Sequence, residues 1–241
     1  MSRKIKLKNH YYGEDFKLFK KRTITLKPGL TVLVGCNGMG KSTLLHQIAD
    51  SLKEEGVPFI KFDNLENGGS RSVSEAAFYG NFDFVSASLC SSEGEGIILN
   101  LTQLSRKLIP FIKTGVADER NKKISRIFRE AGGVKDNEEE KEIPKERWIL
   151  LDAVDSGLSV DNVLDMKEYL FNPIFEHGDG NDVYIIVSAN EYEMANREQC
   201  FDVYNGKYIT FKNYDEFRDF IIETRKCKDE RYPEENTDVQ S

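Results

Sequence analysis

The sequence predicts an α/β fold with a central, mainly parallel β-sheet flanked by helices, plus an N-terminal antiparallel β subdomain. Short, almost wholly apolar runs at residues 30–34, 148–151 and 182–187 have the length and composition of buried parallel strands. Residues 4–9 and 17–26 alternate between polar and apolar side chains, which is typical of antiparallel strands with one solvated face. With 241 residues and 39% apolar content, the chain can form one large α/β domain.

The remaining elements follow from helical spacing and turn residues. Residues 41–53 and 97–113 both place apolar side chains at helical spacing, although Pro110 should kink or end the second helix. The pair Asn205-Gly206 favours a tight hairpin turn because both residue types tolerate positive φ angles. A strand at residues 58–62 and an amphipathic helix at residues 213–224 complete the predicted order.

A strongly charged segment interrupts this pattern. Residues 118–147 contain nine basic and nine acidic side chains and few apolar ones, which is typical of a solvated loop. Because a strong core strand follows, we interpret about residues 116–146 as an insertion within one domain that spans residues 1–227. Residues 228–241 are mostly polar, and we expect a disordered tail there.

Composition and charge limit the classes of function. The net charge of −7 argues against a surface devoted wholly to nucleic acid. Residues 1–30, however, hold nine Lys or Arg against only Glu14 and Asp15, so either these are solvated strand residues or this edge faces a polyanion. Nucleic acid therefore stays open as a partner.

The same composition indicates a cytoplasmic protein. The longest apolar runs have strand length, and no apolar stretch follows the basic N-terminus, so we expect neither a membrane partner nor a signal peptide. The four cysteines are widely spaced without a CxxC pair, which favours reduced thiols over a zinc site or a disulfide framework.

A glycine-rich segment between the strand at 30–34 and the helix at 41–53 predicts a phosphate site. Residues 35–42 read GCNGMGKS and satisfy the pattern G-x-x-x-x-G-K-[ST] in full. Glycines let several backbone N–H groups point at one anion, and the helix directs its positive dipole end towards the same place. We expect Lys41 to face solvent until phosphate arrives, and the Ser42 hydroxyl to bind Mg²⁺. The predicted phosphate-binding residues are Gly35, Asn37, Gly38, Met39, Gly40, Lys41, Ser42 and Thr43.

Two longer segments extend this motif into a family resemblance. Residues 35–45 read GCNGMGKSTLL and residues 148–159 read WILLDAVDSGLS. Together they resemble the nucleotide-binding domain of ABC-type P-loop ATPases. The resemblance implies a P-loop NTPase fold that binds ATP with Mg²⁺. It also implies that Asp152 holds the metal ion through water, together with Ser42, and that residues 156–158 form a loop at a dimer interface.

A third family motif is present in altered form. Residues 91–95 read SSEGE and keep the Ser-x-Gly-acid core of the ABC motif that covers the nucleotide of a partner subunit. The usual leading Leu and first Gly are missing. The resemblance implies that Ser92, Gly94 and Glu95 contact ATP across a homodimer, and that the homodimer forms on ATP binding.

One residue of the second motif departs from the family. The position that normally holds the water-activating glutamate is Ala153, and the following Pro is Val154. Without that carboxylate, binding should survive while turnover slows. Asp155 could replace it as a catalytic group, or could cap a loop or contact the dimer partner instead. The family's histidine after the next core strand is also missing, and Asn190 there either contacts the γ-phosphate or caps a turn.

Three functions agree with these observations. The first is a slow ATPase whose ATP-dependent dimerisation drives a conformational switch, resembling the soluble SMC/RecF-like ATPases of DNA maintenance and defence. The second is a nucleotide-gated binding or scaffold subunit with little hydrolysis, which Ala153 favours and which would bind another protein. The third is a transport ATPase subunit, against which the missing histidine argues. Candidates for packing against adenine are Tyr11, Tyr12 and Phe16.

Overall fold

The computed structural model describes residues 2–8, 17–63, 105–116, 144–156, 158–178 and 180–231. Eight strands lie in this part of the chain: β1 (Arg3–Lys6), β2 (Thr23–Leu26), β3 (Gly29–Val34), β4 (Phe59–Asp63), β5 (Glu146–Asp152), β6 (Asp182–Ser188), β7 (Gln199–Asp202) and β8 (Lys207–Ile209). The helices are α1 (Lys41–Glu54), α2 (residues 105–114), α3 (Val160–Asp165), α4 (Asn172–Glu176), α5 (Tyr192–Ala195) and α6 (Tyr214–Arg231), and a π-helical segment, Met166–Phe171, joins α3 to α4.

The main sheet has six strands in the order β4-β5-β6-β3-β7-β8. The first five run parallel to their neighbours, and β8 pairs with β7 in the antiparallel direction. Strands β1 and β2 form a separate antiparallel sheet. This arrangement confirms the predicted fold class. It also brings the carboxyl ends of β3, β6 and β5 to one edge of the sheet, where α/β proteins usually bind ligands.

The core has two layers because both faces of the main sheet are covered. Along β6, Val183, Ile185 and Val187 belong to one apolar cluster, whereas Tyr184 and Ile186 belong to the other. Helix α1 packs on the face that carries Tyr184 and Ile186, and helices α2, α3, α4 and α6 pack on the opposite face. Burial on both faces explains why these strands are continuous apolar runs rather than alternating ones.

The structure differs from the sequence prediction in the segment before β2. The predicted strand at residues 17–26 is reduced to Thr23–Leu26. Leu18 and Phe19 are adjacent in sequence and both buried. Neighbouring residues of a strand point to opposite faces, so a bent segment is needed to direct both side chains into the core.

Two helices also differ from the prediction. Helix α2 continues through Pro110 to residue 114, because Leu108, Phe111 and Ile112 are fully buried on both sides of the proline and hold the helix in place. Helix α6 continues past residue 224 to Arg231, so residues 228–231 belong to this helix and not to a tail. Among the described helices, none combines the length and the apolar character needed to cross a membrane.

Several predicted features lie outside the described residues. They include Ser92, Gly94 and Glu95, the aromatic residues Tyr11, Tyr12 and Phe16, most of the charged insertion, and residues 232–241.

Candidate functional site

The predicted phosphate loop connects β3 to α1 at the edge where the parallel strands end. Gly38 and Gly40 have φ angles of 78° and 103°, in the left-handed region that favours glycine. A Cβ on Gly40 would lie only 2.9 Å from Leu18 Cδ2, so the loop needs glycine there for space as well as for conformation. Helix α1 then begins at Lys41. Its free N-terminal N–H groups therefore face the loop.

A cavity of about 220 Å³ opens above this loop. One wall consists of loop and α1 residues, namely Asn37, Gly38, Gly40, Lys41, Ser42 and Thr43. Residues at the ends of β5 and β6 form the opposite wall, namely Asp152, Ala153, Ser188 and Asn190, and Leu18 closes one side. The structure therefore brings Ser42, Asp152 and Asn190 together around one space.

Lys41 does not face solvent, and that prediction is wrong. Its side chain is only 8% exposed. Its Nζ donates to the Gly35 carbonyl at 2.7 Å and to the Cys36 carbonyl at 3.5 Å. These carbonyl groups replace water around the ammonium group, which is why it can be buried within its own loop. Burial lowers the pKa of Lys41, and the nearby Cys36, Asp155 and Asp152 partly oppose this effect.

Gly35 and Met39 belong to the phosphate loop but do not line the cavity. The Met39 side chain is fully buried, and its backbone N–H donates to the Cys36 carbonyl at 3.1 Å. A Cβ on Gly35 would approach Met39 Cγ to 3.1 Å. Both residues therefore hold the curl of the loop in this structure, while their neighbours present the surface of the cavity.

Asp152 ends β5 opposite the phosphate loop and is held by Ser188. The Ser188 hydroxyl donates to Asp152 Oδ1 and accepts the Ala153 N–H at 2.9 Å. Asp152 is buried and lines the cavity. Ser188 therefore fixes the direction of the carboxylate. The sequence analysis missed this role, since Ser188 resembles any residue that ends a strand.

Ala153 starts a sharp turn after β5. Its φ angle is 52°, in the left-handed region that non-glycine residues rarely occupy. The Ser188 hydroxyl holds its N–H, and its carbonyl accepts the Ser156 N–H at 3.2 Å. Because Ala153 lines the cavity, the absence of a longer side chain leaves Asp152 as the only carboxylate among the lining residues of the described chain.

Asp155 is fully buried and does not line the cavity. Its Oδ2 accepts the backbone N–H groups of Asn190 and Glu191 at 2.7 and 2.8 Å. Its Oδ1 has no hydrogen-bond partner among the described residues. Burial raises the pKa of Asp155, although these two N–H groups and Lys41 oppose the effect. These contacts correspond to the loop-capping alternative of the sequence analysis.

Through this contact, Asp155 ties the β5 turn to the residues that follow β6. Asn190 is held by its backbone, and it lines the cavity. Asn190 brings an amide group to this wall of the cavity. That position is compatible with both predicted roles, contact with the γ-phosphate and capping of a turn.

Helix α6 contacts the outer side of the phosphate loop. Thr224 Oγ1 accepts the Cys36 N–H at 3.1 Å, and Lys228 Nζ donates to the Asn37 carbonyl at 3.0 Å. Thr224 and Lys228 are about 190 residues away from the loop in sequence, so no local motif could reveal them. They are the second group of site residues that sequence analysis missed.

The residues of the cavity fit a nucleotide phosphate with Mg²⁺. Magnesium prefers oxygen ligands, usually one or two from the protein with water completing the shell. The Ser42 hydroxyl and the Asp152 carboxylate line the same cavity and provide such oxygen atoms. Lys41 and the N–H groups of the loop supply positive charge for phosphate. Fold and site together define a P-loop nucleotide-binding protein.

Comparison with known families makes this assignment specific. The model of the ATPase family associated with various cellular activities (AAA) matches residues 31–202, from β3 to the end of β7. The chain therefore belongs to this family of P-loop ATPases, and ATP is its nucleotide. No curated protein matches the chain.

Two solved structures match most of the chain's length. One is a nucleotide-free ATP-binding cassette from an ABC transporter, with 15% identity, a TM-score of 0.44 and coverage of 93% of this chain and 99% of the other. The second is an ATP-binding cassette of an ABC transporter in its ADP conformation, with 14% identity, a TM-score of 0.42 and coverage of 94% and 96%.

Proposed function

We propose that this chain is a slow ATPase that works as an ATP-operated switch. The observation that supports the proposal best is the composition of the cavity wall. Asp152, which suits a metal ion, lines the cavity, while Ala153 occupies the place where the family resemblance expects a water-activating glutamate. A site of this composition is equipped to bind ATP and poorly equipped to hydrolyse it.

Nucleotide binding would use the chain's own residues as follows. The phosphate tail would enter the cavity and lie against the loop N–H groups, and Lys41 Nζ would exchange the Gly35 carbonyl for phosphate oxygens. Because burial disfavours the charged form of Lys41, a phosphate anion would compensate that cost directly. Ser42 and Asp152 would hold Mg²⁺, which when bound neutralises phosphate charge. Ser188 would keep the Asp152 carboxylate in position.

Hydrolysis would be slow because, among the described residues that line the cavity, Asp152 is the only carboxylate, and it is assigned to the metal ion rather than to the attacking water. Asp155 is the nearest alternative along the chain, yet it is buried and its Oδ2 is bonded to Asn190 and Glu191. A base that must first release those bonds would act rarely. We expect wild-type turnover far below the enzyme median of about 10 per second.

The proposed output is ATP-dependent dimerisation. The support is the resemblance of residues 91–95 and 156–158 to the dimer-contacting motifs of ABC-type ATPases. In this proposal the Ser92 and Gly94 segment of one subunit covers the nucleotide of the other, as in the SMC/RecF-like branch. The resemblance to that branch supports a role in DNA maintenance or defence, and the widely spaced cysteines support a cytoplasmic location. A transport ATPase subunit is the competing assignment within the same fold.

A second candidate is a nucleotide-gated scaffold that binds ATP and barely hydrolyses it. Ala153 favours this function as well, because it leaves the cavity without the water-activating carboxylate that the family resemblance expects. The scaffold and the slow ATPase differ only in whether measurable turnover remains.

Phosphate release from three proteins tests the proposal. Wild type should release phosphate slowly, Asp155→Asn should leave that slow rate unchanged, and Ala153→Glu should increase it if the left-handed turn accepts the larger side chain. Lys41→Ala is the control for contaminating activity, since it should remove all release that depends on this site.

The outcomes separate the candidates. Easily measured wild-type hydrolysis that Asp155→Asn abolishes would make Asp155 the catalytic group and contradict the capping role. Rapid hydrolysis insensitive to Asp155→Asn would contradict both interpretations of the site. ATP binding without any release in wild type would favour the scaffold.

A further inference from the structure

Helix α6 has a fixed register on the phosphate loop. Thr224 and Lys228 are four residues apart, so they lie on the same face of the helix, one turn from each other. They contact consecutive loop residues, Cys36 and Asn37. Thr224 is buried, and its hydroxyl also donates to the Ile221 carbonyl at 2.9 Å. Thr224 therefore anchors the helix, and this anchor brings Lys228 to the loop.

The Lys228 ammonium group lies against the wall of the nucleotide cavity. Its Nζ is 3.0 Å from the Asn37 carbonyl and 2.9 Å from the place that a Cβ on Gly38 would occupy. Asn37 and Gly38 both line the cavity. Lys228 itself does not line the cavity, but it contacts the Asn37-Gly38 segment that does.

The charge of Lys228 has no acidic partner in the described part of the chain. Its recorded partner there is the neutral Asn37 carbonyl, whereas the neighbouring Asp229 pairs with Arg225 at 3.0 Å. The same loop already holds the ammonium group of Lys41. A further cation at this loop is therefore repelled while no anion is present, and a bound anion stabilises it.

We propose that Lys228 is a second phosphate-binding cation, supplied by the C-terminal helix. On nucleotide binding its ammonium group leaves the Asn37 carbonyl and contacts the phosphate tail over Gly38. The ammonium group is free to make this move because one exposed hydrogen bond holds it at the end of a flexible four-carbon stem. The inference rests on the nucleotide-binding part of the proposed function and does not depend on the rate of hydrolysis.

Calorimetric titration of ATP·Mg²⁺ into the full chain tests this role. Lys228→Ala should weaken ATP binding about two- to five-fold at low salt, which is the effect expected for one exposed ion pair. The loss should shrink at high salt because screening acts on exposed charges. Lys228→Arg should retain most of the affinity. The matched control is Lys226→Ala, which removes an exposed lysine from the same helix and should leave affinity unchanged.

Lys228→Met separates charge from packing, since methionine keeps most of the apolar stem. It should lose as much ATP affinity as Lys228→Ala while the thermal midpoint of the nucleotide-free protein stays at the wild-type value. Wild-type affinity in Lys228→Met, or equal affinities in Lys228→Ala and Lys226→Ala, would overturn this inference alone. A wild-type chain that does not bind ATP would overturn the proposed function together with it.

Discussion

At the scale of single residues, Asp155 is an acidic side chain that is fully buried close to the nucleotide cavity and does not line it. One carboxylate oxygen accepts two backbone N–H groups, while the other has no partner among the described residues. Desolvation outweighs the stabilising contacts, and the pKa of Asp155 is raised above its ordinary value of 3.8. A raised pKa means that the folded state holds this proton more tightly than the unfolded state does.

This shift predicts the pH dependence of Asp155→Asn. The stability that Asp155 contributes is fully present below its unfolded pKa and is lost as the pH rises through the raised folded pKa. At neutral pH the charged form is a cost that the neutral asparagine avoids. Relative to wild type, the free energy of unfolding of Asp155→Asn should therefore be higher at pH 7 than at pH 4. Urea unfolding at several pH values measures this difference.

Asp50→Asn provides the matched control, because Asp50 is exposed on α1. It shows how far the loss of one exposed carboxylate by itself alters the pH dependence of unfolding. If Asp155→Asn behaves like this control, or becomes relatively more stable towards low pH, then the pKa of Asp155 is not raised in the folded protein.

At the scale of elements, the strands were the most predictable part of the fold. Those of the main sheet are apolar runs because both faces are covered, and that pattern is visible in sequence. The C-terminal end of α6 could not be predicted from sequence, because residues 225–231 are mostly charged and polar. This end is held in part by the contact of Lys228 with the distant phosphate loop. The turn after β5 was also missed, because alanine gives no sign of a left-handed conformation.

The left-handed conformation of Ala153 predicts an unusual effect of glycine at this position on the free energy of unfolding. Glycine in an element normally costs about 0.5–1 kcal/mol relative to alanine, but a left-handed alanine carries a penalty of about 1–2 kcal/mol that glycine avoids. Ala153→Gly should therefore leave the free energy of unfolding unchanged or raise it by up to about 1 kcal/mol. Denaturant unfolding provides the measurement.

Ala49→Gly in the interior of α1 is the comparison, and it should lose about 1 kcal/mol. Equal destabilisation by the two substitutions would show that residue 153 does not adopt the left-handed conformation in solution.

At the scale of the whole molecule, the site contains two kinds of residue. Some belong to short sequence motifs, and others reach the site only because distant elements pack together. The phosphate loop and Asp152 could be predicted, since each is a short motif at the end of a buried strand. Ser188 could not, because its contact with Asp152 depends on β6 lying beside β5. Thr224 and Lys228 could not either, because they reach the loop only when α6 packs against it.

The central claim is that ATP in this cavity controls the assembly of the whole molecule. Light scattering of the wild-type chain with a non-hydrolysable ATP analogue and with ADP tests that claim most directly. Lys41→Ala serves as the control that removes nucleotide binding, and Ser92→Arg as the control that blocks the proposed interface. We predict that the molar mass doubles with the analogue in wild type only, and stays that of a monomer with ADP. A wild-type chain that remains monomeric at saturating analogue, or a constant dimer indifferent to Ser92→Arg, would contradict the account.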